Sequence, residues 1–298
     1  MEIMRRQAKL KSGIFFRDQL CVSDSSARGR GGSWAMGYND NDIQLLERIE
    51  DTLRREIEYS DRTTDAVVVH SMAGGTGSGL GSRVMEMLRD QLGHNGLLAA
   101  ISVVADPTGG SPLRSINEIL SLQRIQQTCD YSVLVENSCF PASSIETVNA
   151  DVATTLIELM KNKSRLVIED FQCAVCPMPS LKFAHVYSAD GMENLRTRIP
   201  RQRPQRRSVV AARAVVDPAV RRQTSSSQTD AKGLSLAVTW GYTAMMVSDV
   251  QRNAESKLHH GAFMQHFSSY GVEKDMIFEA IQDVEDNIVT PYETAMVN

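Results

Sequence analysis

The chain has 298 residues, 42% of them hydrophobic, with five cysteines and a formal net charge of −4. That is enough apolar material for one large core or two ordinary ones. It contains no run of eighteen apolar residues that could cross a membrane, its start MEIMRRQAKLKSG lacks the apolar stretch of a secretory signal, and its odd cysteine count suits a reducing cytosol better than a disulfide framework.

In chain order, the first pattern is a glycine-rich turn at residues 31–38, GGSWAMGY. It is followed by NDNDIQLLERIEDTLRREIEYSD, in which Ile43, Leu46, Ile49, Leu53 and Ile57 mark one face of a helix with Asp40 or Asn41 as its N-cap. Residues 65–70, DAVVVH, read as a short buried strand. Five glycines then fall within residues 74–81, and residues 82–92 form a helical pattern through Val84, Met85, Leu88 and Leu92. A linker would not be framed by a strand and a helix. The frame instead places bare amides at a helix start, which suits an anion, usually phosphate. The lysine-bearing P-loop pattern fails, because Gly79 is followed by Leu80 and Gly81. The dinucleotide pattern fails too, because Leu80 stands where the third glycine belongs. What remains is G-G-T-G-S-G: Gly74, Gly75, Gly77 and Gly79 supply backbone amides, and Thr76 and Ser78 offer hydroxyls between them.

Residues 97–105 read as a second buried strand, followed by a second glycine loop, DPTGGSPLRSINEILSL, which leads into a helix through Ile116, Ile119, Leu120 and Ile125. Residues 130–137, DYSVLVEN, read as a third strand. Loops after successive parallel strands gather at the carboxyl edge of the sheet, where nucleotides bind. The first part of the chain therefore reads as α/β and doubly wound.

Further on, Cys173 and Cys176 form a C-x-x-C, but Cys21, Cys129 and Cys139 supply no second pair for a metal. In an extended segment the two thiols would point to opposite faces, so buried apolar cysteine is the preferred reading. Residues 196–222 hold nine arginines and one acid, a local +8 against −4 for the whole chain, leaving −12 elsewhere. Prolines at 200 and 204 make this stretch a loop, and no aromatic residue occurs from 196 to 239. It reads as a solvated basic loop, or one for an acidic partner, and argues against a nucleic-acid partner. Residues 221–233 continue as polar chain. Residues 273–290 predict an amphipathic helix with Met276, Ile277, Ala280, Ile281, Val284 and Ile288 on its buried face.

Several of these stretches together resemble a known family. AGGTGSG resembles the G-G-G-T-G-S-G loop of tubulins, and its setting HSMAGGTGSGLG is most similar to the divergent delta, epsilon and zeta types. GGSWAMGY resembles their G-N-N-W-A-x-G turn, FQCAVCPMPSLKF the segment after their central helix, and LSLAVTWGYTAMM and residues 261–288 their last strand and C-terminal helical hairpin. The order is right, from Gly31 to Ile288.

The resemblance implies a tubulin-like GTPase fold. Residues 1–148 would form a partial nucleotide-binding domain, 149–162 the central helix, 163–241 a reduced intermediate α+β region with the basic loop, and 242–298 the C-terminal helices. It implies GTP or GDP as ligand, with phosphates on Gly74, Gly75, Thr76, Gly77, Ser78 and Gly79, a second nucleotide-facing turn at Gly32, Ser33 and Trp34, and the guanine edge read by Asn137 and Asn149. An amide presents both the donor and the acceptor that such an edge requires. Asp170, in DFQ, matches the acid that a tubulin presents to its neighbour's γ-phosphate, so hydrolysis would depend on assembly. Two family positions are replaced: the aromatic before the second Asn is Ile145, and the ribose-contacting Glu is Arg114. The family's opening G-Q-C-G-N-Q and D-x-E loops are not in the sequence, so the ligands of Mg²⁺ are expected in a part preceding residue 1, and the match to delta and zeta tubulins is to an N-terminally incomplete one. The expected partners are other tubulin subunits, in longitudinal contact, and microtubule or basal-body proteins, in the cytoplasm and cytoskeleton, with the centriole or basal body as the location. The rival expectation is a non-catalytic, tubulin-shaped interaction protein or fragment that has lost tight nucleotide binding.

Overall fold

A computed structural model describes residues 21, 29–39, 42–59, 65–104, 111–140, 144–162, 165–189, 194, 197, 199, 209–216 and 234–297. Most of the basic stretch 196–222, the polar stretch 221–233 and the heart of the second glycine loop, residues 105–110, lie outside the described residues.

The β-branched runs become strands β1 (Ala66–Ser71), β2 (Leu98–Val104) and β3 (Tyr131–Glu136). A two-residue hairpin, β4 (Lys161–Asn162) and β5 (Arg165–Leu166), stands apart, and β6 (Phe183–Ala189), β7 (Val209–Val216) and β8 (Leu234–Trp240) complete the set. The main sheet has six strands in the order β1-β2-β3-β6-β8-β7. Its first four members are parallel, with Val68 opposite Ala100 and Ala100 opposite Ser132, and β8 and β7 pair antiparallel. Strands from residues 163–241 thus continue the sheet begun by residues 65–136. β2 and β3 are buried almost throughout, as parallel strands covered on both faces must be. β1 is the margin among the described residues and leaves Val69 68% exposed.

The helices are α1 (Trp34–Tyr38), α2 (Ile43–Glu58), α3 (Gly81–Leu92), α4 (Arg114–Thr128), α5 (Ile145–Met160), α6 (Ile168–Val175), α7 (Tyr242–His259), α8 (Gln265–Ser268), α9 (Lys274–Val284) and α10 (Thr290–Val297). Side chains on adjacent strands sort them into two layers. His185 of β6 reaches Thr243 of α7, whereas Ser235 of β8, on the opposite face, donates to Glu158 of α5 at 2.6 Å. α3 and α9 pack with α7 against α4; Tyr131 reaches α6 on the α5 side, donating to the carbonyl of Ile168. The result is an α/β, tubulin-like fold with the C-terminal helices in place.

Three local expectations are corrected. The N-cap of α2 is Asp42, whose carboxylate accepts from the amide of Leu45 at 3.1 Å, not Asp40 or Asn41; Ile43, offered for the apolar face, is 66% exposed, since Leu53 and Ile57 further along make the contact with the core. Met276 is exposed because it lies at the border of the α9 stripe, while Ile277, Ala280, Ile281, Val284 and Ile288 are buried. The predicted single helix is α9, a wider turn at Glu285–Val289, and α10. Finally, the C-x-x-C is not extended. Cys173 sits exposed on α6, and Cys176, just past its end, is buried, which pushes its thiol up to about 11.

Candidate functional site

The glycine run begins where β1 ends. The amide of Met72 still pairs with Val103, and helical geometry starts at Gly75, passes through a wide turn at Thr76–Leu80 and continues as α3. The glycines are thus the opening turns of a helix, and most of them are needed for a reason unrelated to ligand. A Cβ at Gly75 would lie 2.3 Å from the carbonyl oxygen of Arg30, at Gly77 2.4 Å from that of Ser71, and at Gly79 2.2 Å from that of Trp34. From the other side, a Cβ at Gly37 would lie 2.0 Å from the carbonyl oxygen of Gly75. Two backbones are in contact here, and no larger residue fits between them. Gly74 differs: among the described residues, a Cβ there meets nothing within 4 Å.

This arrangement divides the candidate phosphate groups. Gly75 and Ser78 are buried; the Ser78 hydroxyl turns inward and donates to the carbonyl of Gly74 at 2.8 Å. Thr76 is exposed. The amides of the first helical turn have no partner within the helix itself, as at every helix start. Gly74, Gly75, Thr76 and Gly77 therefore form the part of the run suited to an anion.

Beneath the turn lies His70, nine-tenths buried at the end of β1. Its Nδ1 lies 3.0 Å from the carbonyl oxygen of Gly77, which can only accept, so Nδ1 carries the proton. Its Nε2 then accepts from the Ser102 hydroxyl at 2.8 Å, and Ser132 donates to Ser102 at 3.1 Å. Burial disfavours the imidazolium and pulls the pKa of His70 down to about 4.

Above the turn, Asn117 of α4 gathers the loops. Fully buried, it donates from Nδ2 to the carbonyl oxygens of Gly32 (2.7 Å) and Ala73 (2.8 Å) and accepts at Oδ1 from the amide of Trp34 (2.8 Å). Gly32 has φ +69°, a left-handed conformation that suits glycine. Ser33 is buried and donates to the carbonyl of His266 at 3.0 Å; Trp34 is inside the core, stacked on Tyr38 at 4.2 Å with its indole N–H on Ser82. The turn at 31–38 thus presents backbone, not the Trp34 ring, to the surface beside the glycine run.

Asn137 follows β3 in a single 3₁₀ turn at the same carboxyl edge, two strand spacings or about 10 Å from β1. It lines a cavity of about 270 Å³ with Arg114, Glu118, Glu136 and Tyr242. Arg114 pairs with the buried Glu118 at 3.4 Å, and the Glu136 carboxylate receives the Tyr242 hydroxyl at 2.8 Å. Asn149 and Asp170 lie elsewhere: both are exposed, on α5 and α6, across the sheet from α3 and α4. Ile145, at the start of α5, is 64% exposed. The structure thus brings Gly32–Trp34 and the glycine run into one cluster, sets Asn137 on the same edge, and keeps Asn149 and Asp170 on the other layer. Sequence reasoning missed Asn117 and His70 as organisers. A signal existed for Asn117, an amide four residues after Leu113 and three before Leu120, on the helical spacing of the apolar face.

A strand–glycine turn–helix clasped to a second loop at a parallel-sheet edge is the layout of a nucleotide-type α/β protein, and comparison with known sequences narrows the class. Residues 3–143 match the family model described as Tubulin/FtsZ family, GTPase domain. The chain is similar to the tubulin gamma chain of Caenorhabditis elegans (26% identical over 287 residues, 94% of this chain and 59% of the relative). Over shorter stretches it is similar to the tubulin gamma chain of Candida glabrata (34% over 114 residues, 38% of this chain and 24% of the relative) and to the tubulin beta-2 chain of Suillus bovinus (29% over 145 residues, 47% and 32%). In these matches the chain spans between about a quarter and three fifths of the relatives' length.

Proposed function

We propose that this chain is a tubulin-family protein that binds GTP or GDP at the carboxyl edge of its sheet, phosphates over Gly74–Gly77 and base toward Asn137. The observation that carries the reading is the clustering, through Asn117, of residues 32–34 with the start of the glycine run, inside the stretch that matches the GTPase domain. The residues fit the group: first-turn amides and the exposed Thr76 hydroxyl suit phosphate oxygens, and the surface over Gly74 is open. Mg²⁺ would neutralise the β- and γ-phosphates when bound. Among the described residues no cluster of His, Cys, Asp and Glu side chains has metal-binding geometry, so its protein contacts are not assigned.

The finer parts of the reading follow from the sequence. By the resemblance Asn149 is the second base contact, although it is exposed on α5, across the sheet from α4. Asp170, exposed at the first turn of α6, serves the nucleotide of the next subunit along a filament, so hydrolysis awaits assembly. The partners are other tubulin subunits, the type is divergent and nearest delta or zeta, and the place is the cytoskeleton at centrioles or basal bodies. The rival reading, a tubulin-shaped interaction protein without tight nucleotide binding, is favoured by one observation: where the family has its ribose-contacting Glu, Arg114 is paired with Glu118.

The deciding experiment is titration with a fluorescent GTP analogue, for the parent and for Gly74→Val. Micromolar or tighter binding by the parent that falls at least tenfold in a folded Gly74→Val supports the reading. A parent that does not bind favours the rival.

A further inference from the structure

Asn117 is buried completely on α4, yet none of its side-chain bonds serves that helix. Its amide nitrogen bridges the carbonyls of Gly32 and Ala73, and its oxygen takes the amide of Trp34. These three backbone groups belong to the turn that opens α1 and to the turn after β1, separated by α1, α2, β1 and about forty residues of chain. Ala73 is the residue immediately before Gly74, where the open surface begins, and Gly32 sits in a left-handed conformation that leaves its carbonyl turned to the amide. One planar side chain thus fixes the distance between the two loops that border the open surface over Gly74.

We infer that Asn117 is a positioning residue for phosphate recognition: it holds the 32–34 turn, whose Ser33 and Trp34 amides are already engaged, against residues 73–77, so that the amides of the start of the glycine run stay aimed at one phosphate group. This deepens the proposed nucleotide reading and rests on it. Asn is suited to the task because it donates twice from one atom and accepts at another in a fixed plane. The isosteric acid lacks the two donors and would set a carboxylate against two carbonyl oxygens, so the loops must part. The side-chain bonds of Asn117 go to residues 32, 34 and 73 and not to Asn137, so the base side of the site should change less than the phosphate side.

The test compares GTP with guanosine, which carries no phosphate, on the parent and on Asn117→Asp, with folding checked by near-UV circular dichroism. The expected result is a loss of at least tenfold in GTP affinity with guanosine affinity within about threefold of the parent, a split that general loosening of the core would not produce. If Asn117→Asp does not fold, Asn117→Ser carries the same comparison. Equal losses for both ligands, unchanged GTP binding in a folded variant, or failure of both variants to fold overturns the inference and leaves Asn117 a core residue, with the parent's own GTP binding intact. A parent that binds neither ligand overturns the nucleotide reading and this inference with it.

Discussion

His70 holds the glycine turn by one hydrogen bond, donated from Nδ1 to the carbonyl of Gly77 at 3.0 Å, while its buried Nε2 accepts from Ser102, a bond that protonation of Nε2 would remove. The contact joins the end of β1 to the opening of α3. It places an acid-sensitive group directly under the run proposed to meet phosphate.

A pH dependence of stability follows. The folded-state pKa of about 4 lies below the ordinary histidine value of 6.5, so the unfolded chain binds the proton first. Stability from His70 is complete above about pH 6.5 and is lost as pH falls toward 4, by an amount of the order of 3 kcal/mol. Urea midpoints measured between pH 7.5 and 4.5 should fall for the parent, and the slope should flatten in His70→Gln over the same window. Parallel slopes for the two proteins would show that His70 is not the group that titrates.

The glycines should separate into two kinds. Gly75→Ala, Gly77→Ala and Gly79→Ala each drive a methyl to within 2.4 Å of a carbonyl oxygen and should destabilise by about 3 kcal/mol or more. Gly74→Ala meets open space and should melt within a degree or two of the parent. Thermal denaturation of the four variants checks the order, and a Gly74 variant as unstable as the others would refute the backbone-contact account.

On the tail, Ile277→Ala should cost about 2–4 kcal/mol, since the side chain is fully buried. Met276→Ala, one residue away and 46% exposed, should change stability by less than about 1 kcal/mol. Equal effects would mean that the face of α9 is rotated from the one described.

Asp170→Asn should leave folding and GTP affinity unchanged, because the side chain is exposed on a helix remote from the glycine run. If the proposed subunit contact forms, the same variant should assemble normally and slow assembly-dependent GTP turnover at least tenfold. Normal turnover at normal assembly removes Asp170 from the chemistry.

Much of the sheet was legible. The apolar runs 97–105 and 130–137 are β2 and β3 within a residue or so, because a parallel strand covered on both faces has little choice but an unbroken apolar sequence; 65–70 is β1 within a residue, but it was read as buried and is half-exposed, because it lies at the margin of the sheet among the described residues. The faces of α2 and α9 were legible only in part. Periodicity gives the direction of a stripe, but Ile43 and Met276 lie where the stripe passes the limit of its neighbour's contact. The glycine run was read as loop, and it is helix from Gly75. Its residues are permissive, so their conformation is dictated by what presses on them, the backbones of residues 30–38 and Ser71. Asn117 could be placed on a helix from sequence but not credited with its bonds, since its three partners are backbone atoms and leave no trace in side-chain spacing.

The contact between Gly37 and Gly75 bears on how such chains change over time. Position 37 and positions 75, 77 and 79 answer to steric exclusion within the protein, so a descendant released from nucleotide would still be held to glycine there. Its signature would outlive its ligand. Gly74 and Thr76, one facing open space and the other exposed, carry no such debt to the fold, and they would be the first to drift. In a set of related chains, the proposed phosphate contact would therefore be recorded at 74 and 76, and the fold at 37, 75, 77 and 79.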